Sequence, residues 1–395
     1  MSRPGVFTVL SPDEPYRIFF PLGILAGVLG VLMWPMWFAG WLPSYPGSPG
    51  DAHARIMIEG MFGAFVVGFL GTAFPRLADS PRLRRGEGLV LLALWLATTF
   101  SHGVGRVNAG DAAFSALMAA SLAVFLGRWI FAHRDTPPPG VTLAVAAMAI
   151  AGTAAALLSR SGGWWMGAQG AHFARLCLYQ GFTILPLLGI GPYLLPRFFG
   201  RPSSHDFDDS PRPPAGWWPR LAASLACGGA IVATFAIEAG GHLILGPAAR
   251  AVVVTFCLAR HTPVFRRARQ PNTPATAVRW AAVSIILGFA SAAAWPALRA
   301  GALHLYFVSG IGLITFAVAT RVVLGHAGRH DLLSGRIVSV RWIIGLAVLA
   351  STTRMSADFL PHIRTSHLVY AALAWLIVSI LWLAAIGRFL AQTDD

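Results

Sequence analysis

Histidine and arginine are the side chains of this sequence with chemistry to offer, and they recur at related places. The stretch HLYFVSGIGLITFAVATRVVLGHAGRH carries His304 at its start, with Arg321, His326, Arg329 and His330 near its end. His53 precedes Arg55, and Glu59 follows Arg55 by one helical turn. His172 stands three residues before Arg175, Glu238 stands four before His242, and Arg250 follows. A neutral imidazole ligates iron or another metal, and a guanidinium fork grips carboxylates such as heme propionates. The pattern therefore suits a heme or metal pocket, or ion pairs among these charges, Arg55 with Glu59 first.

Which of these residues can meet depends on the elements that carry them. The chain has 395 residues, of which 56% are hydrophobic and 12% charged, with a mean hydropathy of +0.63. Soluble domains have about 25% charged residues, so the composition implies an all-α integral membrane protein in contact with a lipid bilayer. The formal charge of +14 would suggest nucleic acid in a soluble chain. Here it consists of arginines between apolar runs, without a single lysine, and implies membrane orientation rather than nucleic-acid binding. Cys177, Cys227 and Cys257 fall inside apolar runs without C-x-x-C spacing and read as core residues. No cleavable-signal pattern precedes the first run.

Over residues 1–395, read as one polytopic membrane domain, apolar runs lie near 17–40, 54–74, 87–104, 112–132, 140–159 and 171–195. Six more lie near 217–237, 241–260, 278–297, 302–325, 337–356 and 367–390. Each approaches the roughly 20 residues of a spanning helix, which predicts twelve spans. Arginines crowd every second loop, so both termini are expected in the cytoplasm. The proline- and aspartate-bearing segment 202–219 reads as a linker between six-helix halves.

With that topology His53, His102, His172, His242, His304, His362 and His367 all lie at the outer side. Shared depth matters, because ligands from separate helices meet only at one level of a bundle. At about 1.5 Å per residue, His304 and His326 are roughly a bilayer core of about 30 Å apart. They cannot share one metal. Arg76, Arg197 and Arg321 close spans 2, 6 and 10 at intervals of about 120 residues, and His53, His172 and His304 open the same spans. Three four-helix units are therefore expected.

The segments PYRIFFPLGILAG, HARIM with GFLGTAFPRL, GIGPYLLPRFFGR, and the string T-R-V-V-L-G-H-A-G-R resemble hallmark stretches of the NnrS family of multi-pass bacterial membrane proteins. The resemblance runs along most of the chain. It implies a bacterial inner-membrane protein of the nitric oxide response that binds heme and copper, and it picks out His53, His304, Arg321, His326 and Arg329. Where that family commonly reads H-x-H-E-M, this chain has His53, Ala54, Arg55, Ile56 and Met57. Glu59 can stand in for the acid, but nothing replaces the second imidazole, which weakens the case for copper. The twelve-span, three-by-four layout is also similar to catalytic subunits of heme-copper oxidases and nitric oxide reductases, without their adjacent His-His pair on span 7.

The expectation is a b-type heme near the outer surface with His53 and His304 as axial ligands. No C-x-x-C-H for covalent heme attachment is present. His172 and His242 would form or border a second, metal-binding site, with Arg55, Arg175 and Arg250 as propionate or anion partners. Nitric oxide or a similar small gas would be the ligand, and an unidentified electron donor the partner. The competing expectation is a twelve-span secondary transporter, with Glu59, Arg175, Glu238 and Arg250 along its path.

Overall fold

A computed structural model of the chain describes residues 14–42, 45, 46 and 48–392. The described residues form helices and loops with no strand. An apolar chain of this kind satisfies its backbone internally, which in lipid favours helix. The long helices are α1 (Tyr16–Phe38), α2 (Pro49–Leu77), α3 (Arg85–Gly103), α4 (Val107–Phe131), α5 (Val141–Ser159) and α6 (Ser161–Phe198). They continue as α7 (Trp217–Ala239), α8 (Leu245–His261), α9 (Thr273–Ala294), α10 (Pro296–His326), α11 (Val338–Phe359) and α12 (Pro361–Phe389).

Each expected run thus has its helix, but among the described residues nine, not twelve, are long and apolar enough to cross a membrane. The other three fall short for visible reasons. Helix α8 has 17 residues. Helix α3 is diluted by Arg85, Glu87 and His102, and α11 by Arg341, Arg354 and Asp358. The chain is a multi-pass membrane protein.

Helices α2, α6 and α10 touch one another at the centre. Phe62 of α2 meets Phe182 of α6 edge-on at 5.2 Å between centroids, and Phe65 of α2 meets Phe316 of α10 at 6.3 Å. Thr183 of α6 and Tyr306 of α10 share a hydrogen bond of 2.5 Å. Each central helix is backed by the helix before it through glycine. A Cβ on Gly23 of α1 would press on Ala64 and Met61 of α2 at 3.1 Å. One on Gly140, at the start of α5, would strike the carbonyl of Gly189 of α6, and one on Gly288 of α9 would strike the backbone of Tyr306 of α10. The remaining helices follow around this trio, and α12 packs back against α1.

The three central helices share a second feature, a π-helical turn: Ile56–Phe62 in α2, Cys177–Gly181 in α6 and Leu305–Gly312 in α10. Such turns insert one residue and cluster at functional positions. Each of them contains a polar residue followed by glycine: Glu59–Gly60, Gln180–Gly181 and Ser309–Gly310. The turns also free backbone carbonyls for outside donors. Trp95 Nε1 donates to Gly60 O at 2.7 Å, and the Tyr306 hydroxyl lies 3.3 Å from Gln180 O. Helices α2, α6 and α10 thus share a π-helical turn as well as a place at the centre. The segment expected to link two six-helix halves is helix-free up to Gly216 and docks on the loop before α5, where Ser210 N donates to Asp135 Oδ1 at 2.7 Å.

Candidate functional site

His53 on α2 and His304 on α10 come together. Their ring centroids are 6.5 Å apart and their planes differ by 10°. The Nδ1 atoms lie 2.9 Å from Gly30 O and 2.7 Å from Ala300 O. A carbonyl can only accept, so in each ring Nδ1 carries the proton and Nε2 keeps its lone pair. A backbone carbonyl on the far nitrogen is the usual support of a metal-binding histidine.

Both rings line a cavity of about 180 Å³ whose walls are otherwise almost wholly apolar, including Met57, Met61, Phe307 and Trp375. Among the described residues, the one charged side chain in the wall is Arg354 of α11, 3.0 Å from Asp358. The cavity thus offers two neutral nitrogen donors, one guanidinium and little water.

A second cluster lies where α2, α3 and α4 meet. Arg55 donates to both oxygens of Asp111, at 2.6 and 3.1 Å, and His102 Nε2 lies 2.8 Å from Glu59 Oε2. All four side chains are buried. This corrects the expected pairing of Arg55 with Glu59: the widened turn at Ile56–Phe62 breaks the simple i,i+4 register between them. Donor atoms of Glu59, His102 and Asp111 lie within 4.8 Å of one another, but the bidentate guanidinium already occupies the Asp111 carboxylate. Arg55 is anchored in this cluster and is absent from the wall of the histidine cavity.

The matching place between α6, α7 and α8 holds Arg250, which is fully buried. It donates to Gln180 Oε1 at 2.5 Å, to Thr234 Oγ1 at 3.0 Å and to Glu238 Oε2 at 2.8 Å. Glu238 also binds Arg299 and lies 3.5 Å from His172 Nε2. Glu238, rather than His242, therefore faces His172. His242 is exposed in the α7–α8 turn. Arg175 donates to Gly162 O at 3.3 Å. The second histidine pair expected from sequence is replaced by an ion-pair node.

At the opposite ends of the helices, Arg321 packs over Phe198 with its guanidinium 5.1 Å from the ring centroid. The His326 ring lies 4.8 Å from that of Tyr16, and Arg329 pairs with Asp331 at 2.9 Å. These three residues lie at the other end of α10 from His304 and are not brought to His53 and His304.

Sequence reasoning missed Asp111, the pairing of His102, and Arg354. A signal existed for Asp111, an acid at the start of an apolar run, since charge in hydrocarbon needs a partner. For Arg354 the local signal was Asp358, four residues on in α11; what sequence could not show is that it shares a cavity with His53 and His304, which come from other helices.

The chain matches the family model described as NnrS protein over residues 12–393 and belongs to that family. No curated protein matches it.

Proposed function

We propose that this NnrS-family protein works in the nitric oxide response at the bacterial inner membrane, holding a redox metal between His53 and His304. The observation that carries this reading is the pair itself: two near-parallel imidazoles 6.5 Å apart, each with Nδ1 tied to a carbonyl. Family membership supports the setting.

The first candidate is heme b. Its iron would supply redox and gas-binding chemistry, and two imidazole ligands favour electron transfer, served by an unidentified donor. The protein's own part is to fix both donors, keep water from the cavity and present Arg354 to a carboxylate or other anion. A second reading, one copper ion on the same imidazoles, is favoured by cavity size. An apolar cavity of about 150 Å³ holds benzene, and 180 Å³ admits an ion and a small gas without rearrangement.

We further infer that α3, α8 and α11 also cross, giving twelve spans with both termini in the cytoplasm. Arg128 at the end of α4 donates to Glu87 at the start of α3 at 2.5 Å, whereas His102 at the end of α3 approaches Asp111 at the start of α4. Helix α3 therefore runs back along the full length of α4. Glu238 with Arg250 ties the end of α7 to the start of α8, and Ser356 with His367 ties α11 to α12.

The test is iron and copper content of the detergent-purified protein, with visible spectra oxidised, reduced and after nitric oxide. Near-stoichiometric iron with reduced-state bands that shift with nitric oxide supports heme, and copper without such bands supports the second reading. A colourless protein that takes up neither hemin nor copper would overturn both and favour transport.

A further inference from the structure

A second cavity, of about 100 Å³, adjoins the histidine cavity. Phe62, Thr183, Ile311 and Thr315 line both, so one layer of side chains separates them. From that neck the second cavity follows α2, α6 and α10 toward their arginine-bearing ends, as far as Phe69, Leu195 and Ala319.

Among the described residues its wall contains no charged side chain, and its only hydroxyls are those of Thr183 and Thr315. Both are already engaged. Thr183 Oγ1 donates to Tyr179 O at 2.8 Å and bonds the Tyr306 hydroxyl at 2.5 Å, while Thr315 Oγ1 donates to Ile311 O at 2.7 Å. A buried water needs about two to four polar partners, and an apolar cavity without them stays dry and takes xenon or benzene. The second cavity therefore disfavours ions and water and suits small apolar molecules.

We propose that this second cavity is a binding pocket for a small, uncharged, gas-sized molecule, which it holds beside the His53–His304 cavity and delivers through the neck. The delivery role rests on the reading of the histidine cavity as the place where a gas meets a metal. The pocket itself does not.

Xenon is the probe, because it needs no metal. In xenon-pressurised crystals of the full-length protein in detergent, density is expected in the second cavity. Gly191→Val should abolish it. A Cβ at Gly191 meets only ordinary contacts, Leu195 at 3.4 Å and Leu187 at 3.7 Å, both cavity-lining residues, so the added bulk enters the cavity. Ala319→Val is the independent second variant. Ordered water or a lipid chain in the cavity, no xenon in the wild-type protein, or xenon that persists in both variants would overturn the proposal. Protein that takes up neither hemin nor copper but still takes xenon here would remove the metal reading and leave the pocket standing.

Discussion

Arg55 and Asp111 lie 56 positions apart in the chain and close a two-pronged ion pair at 2.6 and 3.1 Å inside the protein. The pair fastens α2 to α4, and with Glu59–His102 it fills the space between α2, α3 and α4 with four buried ionisable groups. Removing one member leaves an uncompensated buried charge, at a cost of about 3–5 kcal/mol. Asp111→Ala should therefore lower the thermal stability of the detergent-solubilised protein sharply, and Arg55→Met with Asp111→Leu should recover most of the loss. Equal stability of Asp111→Ala and the parent would show that the pair contributes little.

The three π-helical turns predict an order among three like substitutions. A methyl at Gly310 would lie 2.7 Å from Ile285 of α9 and 3.3 Å from that residue's backbone nitrogen. At Gly60 the nearest atom is Thr99 Oγ1 at 3.2 Å, and at Gly181 it is the Phe235 ring at 3.3 Å. Overpacking costs about 1–3 kcal/mol. Gly310→Ala should sit at the upper end of that range, with Gly60→Ala and Gly181→Ala below it. Melting temperatures of the three variants check the order, and a Gly310→Ala protein as stable as the others would contradict the close crossing of α9 and α10.

Much of this architecture is legible in the sequence, because runs of about 20 apolar residues have few alternatives to helix in a membrane. The nearly equal spacing of Arg76, Arg197 and Arg321 marks the three helices that meet at the centre, α2, α6 and α10, and the shared depth expected of the histidines that open them anticipates the meeting of His53 and His304. What stays hidden has one physical origin. Local spacing assumes 3.6 residues per turn, and the turn at Ile56–Phe62 breaks it, so Glu59 faces His102 while Arg55 faces Asp111. Likewise the partner of His172 is Glu238 on α7, which depth alone could not separate from His242.

Glu14, just before α1, gives the fold an acid limb. Burial pushes its carboxyl up, but the Arg17 hydrogen bond and the charges of Arg17, His326 and Arg76 outweigh that, leaving it below its usual 4.5. A carboxyl depressed in the folded state contributes stability that is complete above its unfolded pKa and disappears as pH falls through the folded value. Stability measured from pH 7 downward should therefore decline below about 4.5, and Glu14→Gln should flatten that part of the curve by leaving Arg17 and Arg76 without their carboxylate at every pH. Parallel curves for the two proteins would rule this contribution out.

One metal shared by two histidines makes a sharper prediction than one metal on each. His53 and His304 come from α2 and α10, are held by separate carbonyls, and face one cavity. If both ligate the same ion, His53→Ala and His304→Ala should each reduce bound iron or copper to background, and the double variant should lose nothing further. Independent sites would instead lose half in each single variant and the rest in the double. His172→Ala and His242→Ala should retain full content, since Glu238 already engages His172 and His242 lies exposed in a turn. Metal analysis of these five variants, each checked for a monodisperse elution profile, separates the outcomes. Full retention in both His53→Ala and His304→Ala would remove the pair from any ligand role.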